Sequence, residues 1–184
     1  MARRLQFSRA VRTCDRCQRD KVIEVLVDDT IEVSGHRFTA QLPAARCLIC
    51  QQVVVDAANM RSFERRVAVE IAKAGLRAGD AFRFQRTTLG MSEANLAELL
   101  DVAADYIGYW ETEKWPMDPR ALAVLSALVR ARFDDKHSPL DCVAVLRVPR
   151  KLGRNVRVHL ENALHSAGKL LQFGSTVFSQ PATA

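Results

Sequence analysis

Two CxxC pairs, Cys14/Cys17 and Cys47/Cys50, stand 29 residues apart and constrain the fold of this chain more than any other feature. A CxxC turn points two thiols the same way, so two such turns can offer four soft ligands to one tetrahedral ion. The pattern predicts a structural Zn2+ on these four cysteines, one per chain. A redox dithiol is the weaker reading, because a thioredoxin-like site uses one motif inside a strand–helix–strand unit, and here there are two with no crossover helix between them. Four thiolates also close the coordination sphere and leave no position for a catalytic water. His36, in the turn SGHRF, reads as a surface histidine beside a complete ligand set. The fifth cysteine, Cys142, lies in the apolar run CVAVL and reads as a small buried hydrophobe.

Between the pairs the residues alternate apolar and polar in short runs, Val22 to Val27, Ile31 to Val33 and Phe38 to Leu42, which Asp28-Asp29 and Ser34-Gly35 are expected to break. This reads as a small antiparallel sheet with too little apolar area to stand alone, so a metal joining its ends would supply folding free energy. After a short strand in QQVVVD, Met60, Phe63, Val67, Ile71 and Ala74 recur at helical spacing. Gly75 and Gly79 then mark a helix end and a hinge.

From residue 80 four short helices are expected. The first carries Phe82, Arg83, Arg86 and Leu89 up to Gly90. Ser92 caps a second with Leu96, Ala97, Leu99 and Leu100, and Asp101-Val102 forms the turn to a third with Ile107 and Trp110. Asp118-Pro119 opens a fourth with Leu122, Leu125, Leu128 and Val129. The fold class expected is therefore α+β: residues 1–56 a zinc-stabilised antiparallel β domain with a basic N-terminal arm, 57–79 a connecting helix and hinge, 80–132 a mainly α domain, and 133–184 an extension suited to dimerisation. In the extension, residues 156–173 are expected to form a last strand or helix.

The net charge of +6 suits a nucleic-acid partner. Its distribution is uneven, since residues 80–132 hold eight Asp/Glu against six Lys/Arg. The basic arm (Arg3, Arg4, Arg9, Arg12) and a later cluster (Arg147, Arg150, Lys151, Arg154, Arg157) are candidate phosphate contacts. No apolar run approaches the length of a membrane helix and no secretory signal opens the chain, so a cytoplasmic protein is expected. With no P-loop, no nucleophile elbow and four scattered histidines, the sequence predicts no enzyme.

Arg83/Arg86, Leu89-Gly90-Met91-Ser92, Leu96-Ala97, Val102, Ile107 and Trp110-Glu111 together resemble the Xre or phage-repressor family of helix-turn-helix domains. Combined with the paired CxxC motifs and the connecting helix, residues 14–132 resemble the MqsA-type antitoxins. That resemblance implies a structural zinc domain that binds a ribonuclease toxin, and a helical domain that dimerises and represses its own operon from a palindromic double-stranded operator. It implies base reading by Ala104, Asp105 and Tyr109 on the third helix of the helical domain, with Tyr106 able to meet a phosphate or a thymine methyl. It also implies backbone contacts from Arg83, Arg86 and Lys114 and from Ser92 and Glu93 where the second helix opens. The chain departs from the family in carrying Asp105 and Tyr109 where Asn and Arg are usual, Glu93 for Gln, and Asp101 for the turn glycine. The alternative function is a zinc-dependent protein-binding adaptor whose helix-turn-helix serves dimerisation or docking.

Overall fold

The computed structural model describes residues 13–134 and 149–160. The arm at 1–12, Cys142 and most of the C-terminal extension lie outside these residues.

Strands β1 (Val22–Val33) and β2 (His36–Cys47) pair antiparallel along their whole length, from Val22 opposite Cys47 to Val33 opposite His36. The two-residue turn Ser34-Gly35 joins them with φ of 52° and 73°, the left-handed pair whose twist matches that of the flanking strands. The expected break at Asp28-Asp29 does not occur, and β1 passes through both residues. Because β1 is an edge strand, a carboxylate there keeps its water, and Asp28 is exposed.

On the far side of β2, strand β3 (Val53–Val55) pairs antiparallel with Ala44–Arg46, and β4 (Asn155–Arg157) pairs in parallel with Arg37–Thr39. Part of the C-terminal extension thus returns to the sheet, and the N–H of Arg150 also donates to the carbonyl of Ala74 at 3.1 Å.

Helix α1 (Ala57–Ala74) starts where Asp56 accepts from the N–H of Ala58, and ends at Gly75 in the left-handed conformation. It buries two stripes. Phe63, Val67 and Ile71 pack on Val33, Phe38, Ala40 and Leu42 of the sheet, while Ala68, Val69 and Ala72 meet Val129. The helix is a wall shared by two cores and not only a connector between them.

The remaining helices are α2 (Gly79–Thr88), α3 (Glu93–Leu100), α4 (Ala104–Glu111) and α5 (Pro119–Phe133). They close around Phe82, Leu96, Ala97, Ile107, Trp110, Ala121, Leu122 and Leu125. Gly79, expected at a hinge, is instead a close-packed joint. A Cβ there would lie 2.5 Å from the carbonyl oxygen of Glu111 and 2.6 Å from that of Trp110, so only glycine lets α2 begin against the end of α4. Its N–H donates to Glu113 Oε1 at 2.9 Å. The next residue, Asp80, accepts from the N–H of Ser34 at 2.7 Å and from its hydroxyl, which fastens α2 to the hairpin turn.

Candidate metal centre and the outer face of the fourth helix

Pairing the first residue of β1 with the last of β2 brings both CxxC turns to one end of the hairpin. The turns are near copies of each other. The N–H of Gln18 donates to the carbonyl of Cys14 at 2.8 Å, and that of Gln51 to Cys47 at 3.0 Å. Each glutamine has a left-handed φ, 57° and 59°. Each side-chain amide donates back into its own turn at 2.9 Å, to Asp15 and to Leu48. The N–H of Leu48 bonds to the carbonyl of Lys21 at 2.9 Å and ties the two turns together.

The sulfurs meet across the turns, Cys14 to Cys50 and Cys17 to Cys47, both at 3.5 Å. All four ligand atoms lie within 4.8 Å of one another. A tetrahedral ion with metal–sulfur bonds of about 2.3 Å needs its sulfurs about 3.8 Å apart, so the cluster could hold a metal ion.

Its electrostatics fit that use. A backbone hydrogen bond from Cys50 outweighs burial and lowers the Cys47 thiol to about 6. A backbone hydrogen bond from Cys17 leads in lowering Cys14. At Cys17 the backbone bond from Arg19 favours the thiolate, yet burial and the sulfurs of Cys47, Cys14 and Cys50 together push it up to about 12. Four thiols this close cannot all ionise without a cation, and they share protons that a metal would displace. His36 stands at the opposite end of the hairpin, with Nδ1 3.0 Å from the carbonyl of Gly153, and takes no part in the cluster. Around the centre Leu48, Ile49, Val53 and Val54 are exposed.

At the other end of the molecule, α3 and α4 are joined by the three residues Asp101 to Ala103. Ser92 caps α3 by accepting from the N–H of Asn95, and Asp101 ends it at φ 55°. Ile107 and Trp110 turn α4's inner face into the core. Ala104, Asp105 and Tyr106 are exposed, and Tyr109 is half-buried. Trp115, which the sequence reading did not single out, packs against both tyrosines, with ring centroids 5.0 Å from Tyr106 and 4.8 Å from Tyr109. Its only sequence signal was an aromatic residue just past a helix end, outside any apolar periodicity. Lys114 sets its ammonium 4.4 Å above the Tyr109 ring.

The cations expected to meet phosphates divide. Arg83 is on the surface, its side chain 69% exposed and 3.9 Å from Glu111. Arg86 is buried, which corrects its expected placement. Its guanidinium donates to both carboxylate oxygens of Glu111, at 2.6 and 2.9 Å, and to the carbonyl of Met91 at 2.8 Å. That hydrogen-bonded carboxylate holds its pKa above the ordinary arginine value. Glu93 reaches the same guanidinium at 3.6 Å with its side chain half in water. An arginine so engaged, with its side chain 7% exposed, braces α2 against α4.

The fold and site define an α+β protein with a four-stranded, largely antiparallel sheet, five helices among the described residues, and a four-cysteine cluster able to hold a metal. No family model, curated protein or solved structure matches this chain. Among the described residues, no helix is long and apolar enough to cross a membrane.

Proposed function

We propose that the protein is a DNA-binding transcriptional regulator, the antitoxin and autorepressor of a type II toxin–antitoxin-like operon. It binds a palindromic operator as a homodimer and carries one structural Zn2+ on Cys14, Cys17, Cys47 and Cys50. The observation that carries this reading is the α3–turn–α4 unit. Its inner residues are buried in a core, while the first turn of α4, Ala104 to Tyr106, faces outward from it. A short helix presented in this way fits a major groove. The exposed Arg83 and Lys114, with the Ser92 hydroxyl at the capped start of α3, suit contacts to the sugar–phosphate backbone, which the Glu93 carboxylate beside them does not. The four-thiolate donor set is that of a closed structural zinc site.

Fluorescence anisotropy against the promoter of its own gene and a scrambled duplex tests the reading. Specific binding that weakens steeply with salt is expected. Affinity that stays flat between low and physiological salt sinks it.

A second reading, the zinc-dependent protein-binding adaptor, is favoured by the exposed Leu48, Ile49, Val53 and Val54 beside the metal centre and by the acid excess of residues 80–132. The resemblance implies a ribonuclease toxin as the partner there. A partner that co-purifies with a protein unable to retain any DNA decides for this reading.

A further inference from the structure

The outward face of α4 has an unusual chemistry for a helix that reads bases. The helix sequence ADYIGYWE contains no lysine or arginine, and Lys114 just beyond it is turned onto the Tyr109 ring. What the face offers is the exposed carboxylate of Asp105 and two tyrosine rings buttressed by Trp115. In the major groove guanine presents only acceptors, N7 and O6, and a carboxylate repels both. Adenine's amino group has the N7 acceptor of its own ring on one side and the O4 of its paired thymine on the other, whereas cytosine N4 has the paired guanine's O6 on one side and only its own C5–H on the other, and thymine presents a methyl group. Asp105 and Tyr109 are one turn apart, about 6 Å along the axis, which is close to two base steps.

We infer that α4 selects pyrimidines: Asp105 accepts from a cytosine amino group, and Tyr106 and Tyr109 pack on the methyl groups of neighbouring thymines, with Trp115 positioning both rings. This inference rests on the DNA-binding reading above. Because the bases are read through an acceptor and apolar contacts, phosphate attraction fixes the overall affinity and α4 contributes the discrimination.

The test passes the full chain, supplied with Zn2+, over randomised duplexes and sequences those retained, for wild type, Asp105→Asn and Trp115→Ala. Asp105 is exposed, so its amide variant keeps the fold. Wild type is expected to enrich cytosine at one position of each half-site by about tenfold, and Asp105→Asn to enrich adenine there, since an amide pairs with adenine N6 and N7. In the enriched duplex, replacing thymidine by deoxyuridine deletes only the methyl. It is expected to weaken wild-type binding by about fourfold per methyl contacted and to leave Trp115→Ala binding unchanged. An A·T pair enriched by the wild type at the selected position, an Asp105→Asn profile identical to wild type, or indifference of the wild type to deoxyuridine each overturns pyrimidine reading while the regulator stands. Retention of no sequence at all overturns both.

Discussion

The cysteine end and the helical end of the molecule hold their shape by different means. At the cysteine end Ile23, Leu48, Ile49, Val53 and Val54 face water, and the two turns meet through four sulfurs, a contact of Cys14 Sγ with Gln52 Oε1 at 3.9 Å and the bond from the N–H of Leu48 to the carbonyl of Lys21. In the helical end Phe82, Leu96, Ile107, Leu122 and Leu125 are fully buried, and a buried ion pair joins α2 to α4. Fully burying side chains of this kind contributes roughly 1.5–3 kcal/mol each, so the helices draw on a core of their own. The hairpin shares with α1 a core that lies toward its Ser34-Gly35 turn, at Val33, Phe38, Ala40 and Leu42. Its cysteine end lacks that support. One chain therefore has a part that folds on apolar area and a part whose last turns would depend on a metal held by the four cysteines.

The largest effect is expected from removing the proposed zinc. A structural zinc contributes on the order of 10 kcal/mol to the folding of a small module at neutral pH. With a chelator present, hydrogen exchange should show the backbone amides of Val22 to Val27 and Ala44 to Cys47 losing protection while those of α3 to α5 keep theirs. Equal loss in both places would break the comparison and make the molecule one cooperative unit through the shared wall of α1.

Next in size is the ion pair. Arg86→Ala leaves the Glu111 carboxylate, 4% exposed, without its main partner, and breaking a buried pair from one side costs about 3–5 kcal/mol. The midpoint of urea unfolding should fall accordingly. The double variant Arg86→Met with Glu111→Leu should recover much of the loss, because two apolar side chains of similar volume replace a desolvated pair. A single variant that shifts the midpoint by less than about 1 kcal/mol would mean that the joint depends on Gly79 and the apolar core alone.

What was legible in the sequence was local. The CxxC turns, the cap at Ser92 and the Asp118-Pro119 start of α5 each depend on residues within one turn of each other, and Asp118 does accept from the N–H of Arg120 at 2.7 Å. Helix α1 announced itself through the spacing of Phe63, Val67 and Ile71. What was not legible depends on distant partners. Asp28-Asp29 reads as a break until β1 is known to lie at a sheet edge. Arg86 reads as a phosphate contact until Glu111, 25 positions away, is found beside it. The return of Asn155–Arg157 beside β2 as a parallel strand carries no motif, and its pairing is set by the edge that β3 leaves open.

The smallest effect concerns backbone conformation, and it sharpens the contrast between the two ends. Each end places non-glycine residues at left-handed φ, Gln18 and Gln51 in the cysteine turns and Asp101 between α3 and α4. Such a conformation costs an L-residue about 1–2 kcal/mol, though aspartate tolerates it better than most. Glycine would remove that cost while giving back roughly 0.5–1 kcal/mol of chain entropy. Asp101 has no side-chain hydrogen bond to lose among the described residues, and its N–H already closes the end of α3 on the carbonyls of Ala97 and Glu98. Asp101→Gly should therefore raise the thermal midpoint of the metal-loaded protein by an amount corresponding to about 0.5 kcal/mol. Gln51→Gly gives up the amide bond to the carbonyl of Leu48, worth about 1 kcal/mol, and should gain nothing. If both variants gained equally, the side-chain bonds inside the cysteine turns would contribute nothing and their shape would depend on the four sulfurs alone.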